Sequence, residues 1–131
     1  MKPFNLQDRS LEFSRHSLYF VQTLSITTAS SVGIRQFVRS ATSIGANSAE
    51  AQGGATKKDF LNFYQVARKS AYETRYWLRL LEVFPHSESQ RRELERECEE
   101  LTKILTTIIL NLKQDRVGTN SYSHVKTKCH I

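Results

Sequence analysis

Three arginines and one tyrosine in the middle of the chain stand at a spacing that suits contact with a polyanion. The residues are Arg68, Tyr72, Arg75 and Arg79. Intervals of four, three and four residues place them on one face of a helix. Guanidinium groups can contact successive phosphates, and a tyrosine ring can stack on an exposed base. The pattern predicts a nucleic-acid-binding surface, although a solvated arginine face has the same spacing. Basic residues that would widen this surface are Arg35, Lys57, Lys58 and Lys69.

The positive charge of the protein is concentrated in one part of the sequence. The chain has 19 Lys and Arg against 13 Asp and Glu, which gives a formal net charge of +6. Residues 1–79 carry eleven basic and five acidic side chains, whereas residues 80–131 carry eight of each. A localised positive field attracts polyanions or an acidic protein, and salt weakens the attraction. The simpler interpretation is that the charge only keeps a small protein soluble.

A second stripe on the same predicted helix is mostly apolar and requires an explanation. It consists of Phe63, Val66, Ser70, Glu73, Trp77, Leu80 and Phe84. A monomeric bundle normally keeps its outer faces polar, so the stripe predicts either a wide core contact or an oligomer interface. Glu73 needs a cation if it is buried there, and otherwise it reaches solvent at the edge of the stripe. Its candidate partners are Arg35, Arg39 and Asn47.

The chain that carries these residues has helical apolar spacing in four segments. The predicted helices cover about residues 10–25, 30–52, 56–83 and 87–112. The Thr27-Thr28 pair and nearby serines offer a cap for the second helix. Thr56 and Ser87 are suitable caps for the third and fourth, and Pro85 ends the third helix. The predicted seam of the third helix consists of Phe60, Tyr64, Ala67, Ala71, Thr74, Leu78 and Leu81. That of the fourth consists of Leu94, Cys98, Leu101, Leu105, Ile108 and Leu112.

The predicted fold class is all-α, an antiparallel up-down-up-down four-helix bundle. Short connections between the helices favour antiparallel neighbours. The second helix is rich in Gly, Ala and Ser, so we expect a neighbouring helix to approach it closely. We predict one bundle domain over residues 1–113 and a polar, mobile tail over residues 114–131.

Catalytic and metal-binding patterns are missing from the sequence. The histidines are scattered, and no Cys-x-x-Cys, His-Glu-x-x-His or paired-carboxylate arrangement occurs. Cys98 and Cys129 lie far apart, a pattern typical of reduced thiols in a cytoplasm. No apolar run approaches the roughly 20 residues that cross a bilayer. We therefore expect a cytoplasmic, non-enzymatic protein with no cofactor, no metal, no small-molecule substrate and no membrane segment.

Three stretches of the sequence resemble the four-helix-bundle proteins encoded by intervening sequences in bacterial 23S ribosomal RNA genes. They are Arg-Ser-Ala-Thr-Ser-Ile-Gly-Ala-Asn-Ser-Ala-Glu at residues 39–50, Lys-Lys-Asp-Phe at 57–60 and Glu-Thr-Arg-Tyr-Trp-Leu at 73–78. The family usually continues into Glu-Gly where this chain has Glu-Ala-Gln-Gly. The resemblance covers about residues 13–112. It implies an antiparallel four-helix bundle that assembles as a homopentamer, has no known enzymatic activity and has a poorly defined cellular role.

The same family is similar, more distantly, to the accessory protein of diversity-generating retroelements. That protein is a basic pentameric bundle that binds nucleic acid and a reverse transcriptase. The similarity implies a nucleic-acid surface made of Arg39, Arg68, Arg75 and Arg79. Fold similarity alone does not fix function.

Two functional hypotheses follow, and the ion pairs of the arginines discriminate between them. The first is an oligomer that binds RNA or DNA through a basic surface without strong sequence preference. The alternative is a scaffold that docks an acidic protein such as a reverse transcriptase, and it predicts that Arg68, Arg75 and Arg79 pair with Glu82 or with acidic residues of the fourth helix. A product carried passively with its host sequence, without a selected partner, also agrees with the sequence.

Overall fold

Four α-helices make up the described part of the protein. The computed structural model describes residues 5–114, and this range contains helices and no strand. The helices are α1 (Leu6–Val21), α2 (Thr28–Gln52), α3 (Lys57–Leu80) and α4 (Glu88–Gln114), with a short 3-10 helix (Leu81–Val83) directly after α3. The predicted all-α class is confirmed. The predicted tail lies outside the described residues, apart from Gln114, which ends α4.

Helix α1 begins and ends earlier than the apolar pattern predicted. The predicted start was Ser10, but Asn5 caps the helix by accepting hydrogen bonds from the backbone N–H groups of Gln7 (2.9 Å) and Asp8 (3.3 Å). Asparagine is among the most effective N-cap residues because its side-chain oxygen satisfies these free donors. The prediction that α1 reaches Ser25 is also wrong, since the chain leaves the helix after Val21.

Helices α3 and α4 begin at the predicted caps, and α2 is capped by Thr27, one of the residues predicted to offer a cap. The Thr27 hydroxyl accepts from the Ser30 backbone N–H at 3.1 Å, and the Ser30 hydroxyl accepts from the Thr27 N–H at 2.9 Å, which completes a capping box. Thr56 accepts from the Asp59 N–H at 3.1 Å and so caps α3. Ser87 accepts from the N–H of Gln90 at 3.4 Å at the start of α4.

The core lies along the predicted seams of α3 and α4. Every predicted seam residue of both helices is buried. Phe20 of α1 and Phe37 of α2 meet edge to face in this core, with ring centroids 6.1 Å apart. On α2 the core includes Ala51, whereas Ala49 is exposed.

Each helix packs against two others: α1 contacts α2 and α4, and α3 also contacts α2 and α4. These contacts are consistent with a four-helix bundle. Residues that bond across α2 and α3 run in opposite order along the two helices: Gln52 bonds with Tyr64 and Ser40 with Thr74. Helix α3 therefore has α2 on one flank and α4 on the other.

Helices α1 and α2 approach closely at Gly45. A Cβ atom added there would lie 3.2 Å from the Ser10 Cβ and 3.3 Å from the Ser10 carbonyl oxygen. Both distances are shorter than ordinary van der Waals contact. The small residues of α2 thus allow the close approach that their composition predicted.

Candidate nucleic-acid interface

The three arginines of the basic stripe differ in their partners. The Arg75 guanidinium lies 4.0 Å from the nearer carboxylate oxygen of Glu95 and 3.4 Å from that of Glu99, both on α4. Within residues 5–114, Arg68 and Arg79 form no ion pair. One arginine of the stripe is thus shared with α4, while two keep their charge available.

The acidic residues of α4 are occupied by cations of the chain itself. Every glutamate of this helix is in an ion pair: Glu88, Glu93, Glu95, Glu97, Glu99 and Glu100. Glu82, which the scaffold hypothesis offered to the arginine stripe, instead lies 3.1 Å from the buried guanidinium of Arg91. The acidic helix therefore neutralises only Arg75 among the three stripe arginines.

A shallow groove of about 480 Å³ runs along the outer face of α3. Its lining residues are Tyr72, Arg75, Tyr76, Arg79 and Leu80. The two tyrosine side chains are 58% and 60% exposed. Tyr76 was missing from the sequence prediction, and its interval of four residues from Tyr72 was the signal that would have found it.

The remaining predicted basic residues are spread over α2 and α3. Lys57 and Lys58 lie in the first turn of α3, Lys69 lies on its exposed side and Arg35 is exposed on α2. None of these four has an ion-pair partner in the part of the chain that the structure describes. They are free cations, but only those on α3 share a helix with the groove.

Arg39 belongs to α2. It pairs with Glu73 on the flank of α3 that faces α2. The Trp77 indole Nε1 also donates a hydrogen bond of 2.9 Å to the same carboxylate. Of the candidate partners of Glu73, Arg39 is the cation that pairs with it, and the Glu73 side chain is also 36% exposed at the edge of the stripe. Asn47 instead donates to the Ser43 backbone oxygen at 2.9 Å.

The second stripe of α3 combines core contact with exposed apolar surface. Phe63, Trp77 and Phe84 are partly buried and pack against the core. Ser70 is buried, and its hydroxyl lies 2.9 Å from that of Ser43 on α2. In contrast, Val66 is 39% and Leu80 41% exposed. A wide core contact therefore accounts for part of the stripe and leaves these two side chains uncovered.

The chemistry available elsewhere in the described chain is limited. Burial raises the pKa of the Cys98 thiol to about 12, and its Sγ donates to the Ala71 carbonyl oxygen at 3.2 Å, so the nucleophilic thiolate is suppressed. Residues 5–114 contain no cluster of side chains able to hold a metal ion. None of the described helices is both long and apolar enough to span a bilayer.

Comparison with known proteins connects this arrangement to one family. The family model described as 23S rRNA-intervening sequence protein matches residues 6–107. The match extends from the start of α1 through most of α4. This chain belongs to the 23S rRNA-intervening sequence protein family. The resemblance seen in the sequence is thereby confirmed.

A solved structure from Bacteroides thetaiotaomicron is similar to this member of the 23S rRNA-intervening sequence protein family. It is described as a protein with unknown function from the S23 ribosomal protein family. It is 35% identical, has a TM-score of 0.72, and the alignment covers 79% of this chain and 97% of that one. Among curated proteins, none matches the sequence significantly. The similarity to the retroelement accessory protein stays a prediction.

Proposed function

We propose that this member of the 23S rRNA-intervening sequence protein family is a non-enzymatic, homo-oligomeric protein that binds RNA or DNA through the outer face of α3. The observation that carries the proposal is the difference in ion pairing between the glutamates of α4 and the arginines of α3. The glutamates of α4 are all engaged in ion pairs, whereas Arg68 and Arg79 of α3 have no such partner among residues 5–114. Free positive charge therefore remains on the face of α3 that carries the exposed tyrosines.

The proposed binding has little preference for base sequence. Arginine and lysine side chains on the outer face of α3 meet phosphates, which are the same at every nucleotide. Reading a base sequence requires side chains that reach base edges inside a groove. A surface dominated by free cations thus supports general, salt-sensitive affinity.

Oligomerisation would present this surface several times. Val66 is an exposed apolar side chain of the predicted interface stripe, and Val83, close in sequence to the end of the stripe, is also exposed. Covering them with a second copy would remove apolar surface from water. The family resemblance implies five copies. Repeating a weak site around a ring raises avidity without new contacts.

The proposal also includes the helix order and the location of the protein. The opposite order of bonded residues along α2 and α3 supports the up-down-up-down arrangement. The unpaired thiol of Cys98 agrees with a cytoplasmic location, where thiols stay reduced.

The proposal is tested by the affinity of the full chain for a labelled structured RNA, measured by fluorescence anisotropy at about 50 and 200 mM salt. The double variant Arg68→Gln, Arg79→Gln should lose at least about tenfold in affinity, and its slope of log affinity against log salt should fall by about two. Arg96→Gln is the matched control, because Arg96 is an exposed arginine that is paired with Glu93 on α4. It should bind like the wild type.

Light scattering of each variant shows whether the native mass is kept, so that a loss of binding is not a loss of assembly. Absence of binding by the wild type at the lower salt would refute the proposal. Equal affinities of the wild type and the double variant would remove Arg68 and Arg79 from the binding surface.

The alternative function is a scaffold that docks an acidic protein, such as a reverse transcriptase, without contacting nucleic acid. The observation in its favour is that Arg75 already holds the carboxylates of Glu95 and Glu99. The stripe can therefore accept carboxylates as well as phosphates. Binding of an acidic peptide together with failure to bind RNA would favour this alternative.

A further inference from the structure

The groove on α3 alternates aromatic rings with cations. Tyr72 and Tyr76 stand four residues apart, and so do Arg75 and Arg79, so each pair occupies neighbouring positions on the helix surface. Leu80 adds an apolar wall at one end. The groove therefore offers flat apolar faces and positive charge within one short stretch of helix.

The two tyrosines of the groove are similarly exposed, and Tyr76 also contacts a neighbouring aromatic ring. Tyr72 is 58% and Tyr76 60% exposed. Tyr76 meets the Trp77 indole edge to face, with ring centroids 4.9 Å apart and an angle of 79° between the planes. Trp77 is fixed in turn by its hydrogen bond to Glu73, and Glu73 is paired with Arg39.

This chain of contacts has a consequence for Tyr76. A side chain that is already oriented loses less conformational entropy on binding a ligand. The ring of Tyr76 packs nearly perpendicular to the Trp77 indole and is still 60% exposed. It is therefore a preorganised stacking platform.

Stacking distinguishes unpaired from paired nucleic acid. In a duplex each base face is covered by its neighbours, so a tyrosine on a helix surface meets only the sugar-phosphate backbone. In a single strand the bases can turn outward and stack on aromatic side chains, with arginines on the adjacent phosphates. Two exposed rings stand beside the Arg79 guanidinium, which has no ion-pair partner in the described part of the chain, and this arrangement matches the second case.

We infer that the groove of Tyr72, Tyr76, Arg79 and Leu80 binds unpaired nucleotides, so that the protein prefers single-stranded over double-stranded nucleic acid. The inference rests on the proposed function and adds the class of ligand. Arg79 contacts phosphate, the tyrosines stack on one or two bases, and Leu80 packs beside them. Arg75 contributes less because Glu95 and Glu99 share its charge.

The test compares two RNA probes with the full chain by fluorescence anisotropy. One is an oligouridylate of about 12 nucleotides, and the other is its duplex with oligoadenylate. The double variant Tyr72→Ala, Tyr76→Ala should bind the single strand at least about tenfold more weakly, with its duplex affinity unchanged. Tyr72→Phe, Tyr76→Phe keeps the stacking faces and should bind like the wild type.

The matched control is Tyr19→Ala, which removes an equally exposed tyrosine, 60% accessible, from α1. It should leave both affinities unchanged. Circular dichroism of each variant verifies the helical content, since the outer position of both groove tyrosines predicts no loss of fold.

The outcomes separate this inference from the function it rests on. Equal wild-type affinity for both probes, with no effect of the tyrosine variant, would overturn the inference while RNA binding stands. Binding of neither probe would overturn the proposed function as well. Binding of a polyglutamate peptide in place of both RNAs would assign the groove to an acidic protein partner and overturn both.

Discussion

Two glycines of α2 provide a test of how tightly the helices pack. Gly33 and Gly45 both lie inside the helix, and a Cβ atom added at either would meet its nearest neighbour at 3.2 Å. At Gly33 that neighbour is the Cδ2 methyl group of Leu81, and the next nearest atom to the added Cβ is the Leu81 Cγ, at 4.0 Å. At Gly45 the neighbours are the Cβ, carbonyl oxygen and carbonyl carbon of Ser10, at 3.2, 3.3 and 3.4 Å.

The difference between these neighbours sets the expected free energies of unfolding. Replacing a helical glycine by alanine gains about 1 kcal/mol from helix propensity. At Gly33 the Leu81 methyl group can rotate away, so Gly33→Ala should stabilise the protein by about 0.5 to 1 kcal/mol. At Gly45 a helix backbone must move, and overpacking costs about 1 to 3 kcal/mol. Gly45→Ala should therefore be neutral or destabilising by up to about 2 kcal/mol.

Urea unfolding followed by circular dichroism at one protein concentration measures both variants. The two should differ by at least about 1 kcal/mol, with Gly33→Ala the more stable. A double-mutant cycle with Ser10→Gly, which removes one of the close atoms, should show coupling to Gly45→Ala. Equal stability of the two alanine variants, or a more stable Gly45→Ala, would refute the account of α1 packing against α2 through backbone contact.

Three further predictions concern buried or bonded polar groups. The Phe84 carbonyl accepts a hydrogen bond from His86 Nδ1, the Glu88 carboxylate accepts one from Nε2, and these bonds raise the pKa of His86 above the ordinary 6.5. The stabilising contribution of His86 should therefore fade as the pH rises from about 6.5 through its folded-state pKa. The pKa of Glu88 is lowered from 4.5, first by Arg91, so its contribution should fade below about pH 4.5. Urea midpoints across pH measure both. Arg91→Met should cost about 1 to 3 kcal/mol in the same assay, because this buried cation bonds several glutamates. The buried Cys98 thiol should resist iodoacetamide until the protein unfolds, as mass spectrometry would record.

Each of these predictions has a control. His86→Gln should flatten the loss of stability on the alkaline side, and an unchanged profile would remove His86 as its cause. Arg92→Met, at an exposed arginine bonded to Glu88, should cost less than about 0.5 kcal/mol. A similar cost at both arginines would contradict the role of burial. Cys98 is followed in a Cys129→Ser variant, and rapid native labelling there would contradict its burial.

Helical periodicity was sufficient to predict the buried face of α3. The seam from Phe60 to Leu81 is long, and apolar residues at alternating intervals of three and four positions all fall on a single face of a helix, which is the face that is buried. The caps near Thr27 and at Thr56 could also be predicted from the sequence, because a side-chain hydroxyl accepts a hydrogen bond from a backbone N–H group only three residues away. The start of α1 was missed because its buried stripe passes from Leu6 through the polar Ser10 before it reaches Phe13.

The sequence predicted where the candidate site lies but not which of its arginines form ion pairs. The sequence placed Arg68, Arg75 and Arg79 on one face, because the direction of a side chain on a helix follows from 100° per residue. The tertiary structure decided that Arg75 is shared with Glu99, while Arg79 forms no ion pair within residues 5–114. It also separated Arg39 from these residues and paired it with Glu73.

The physical reason is the range of the interactions. Helix faces, caps and net charge depend on neighbours within a few residues, so the sequence by itself determined them. Ion pairs between helices depend on how two helices slide and rotate against each other, which the packing of the whole core determines. The groove of Tyr72 and Tyr76 combines both. The sequence determined its spacing and the contact of Tyr76 with the adjacent Trp77, and tertiary contact with α4 decided that Arg75 is shared.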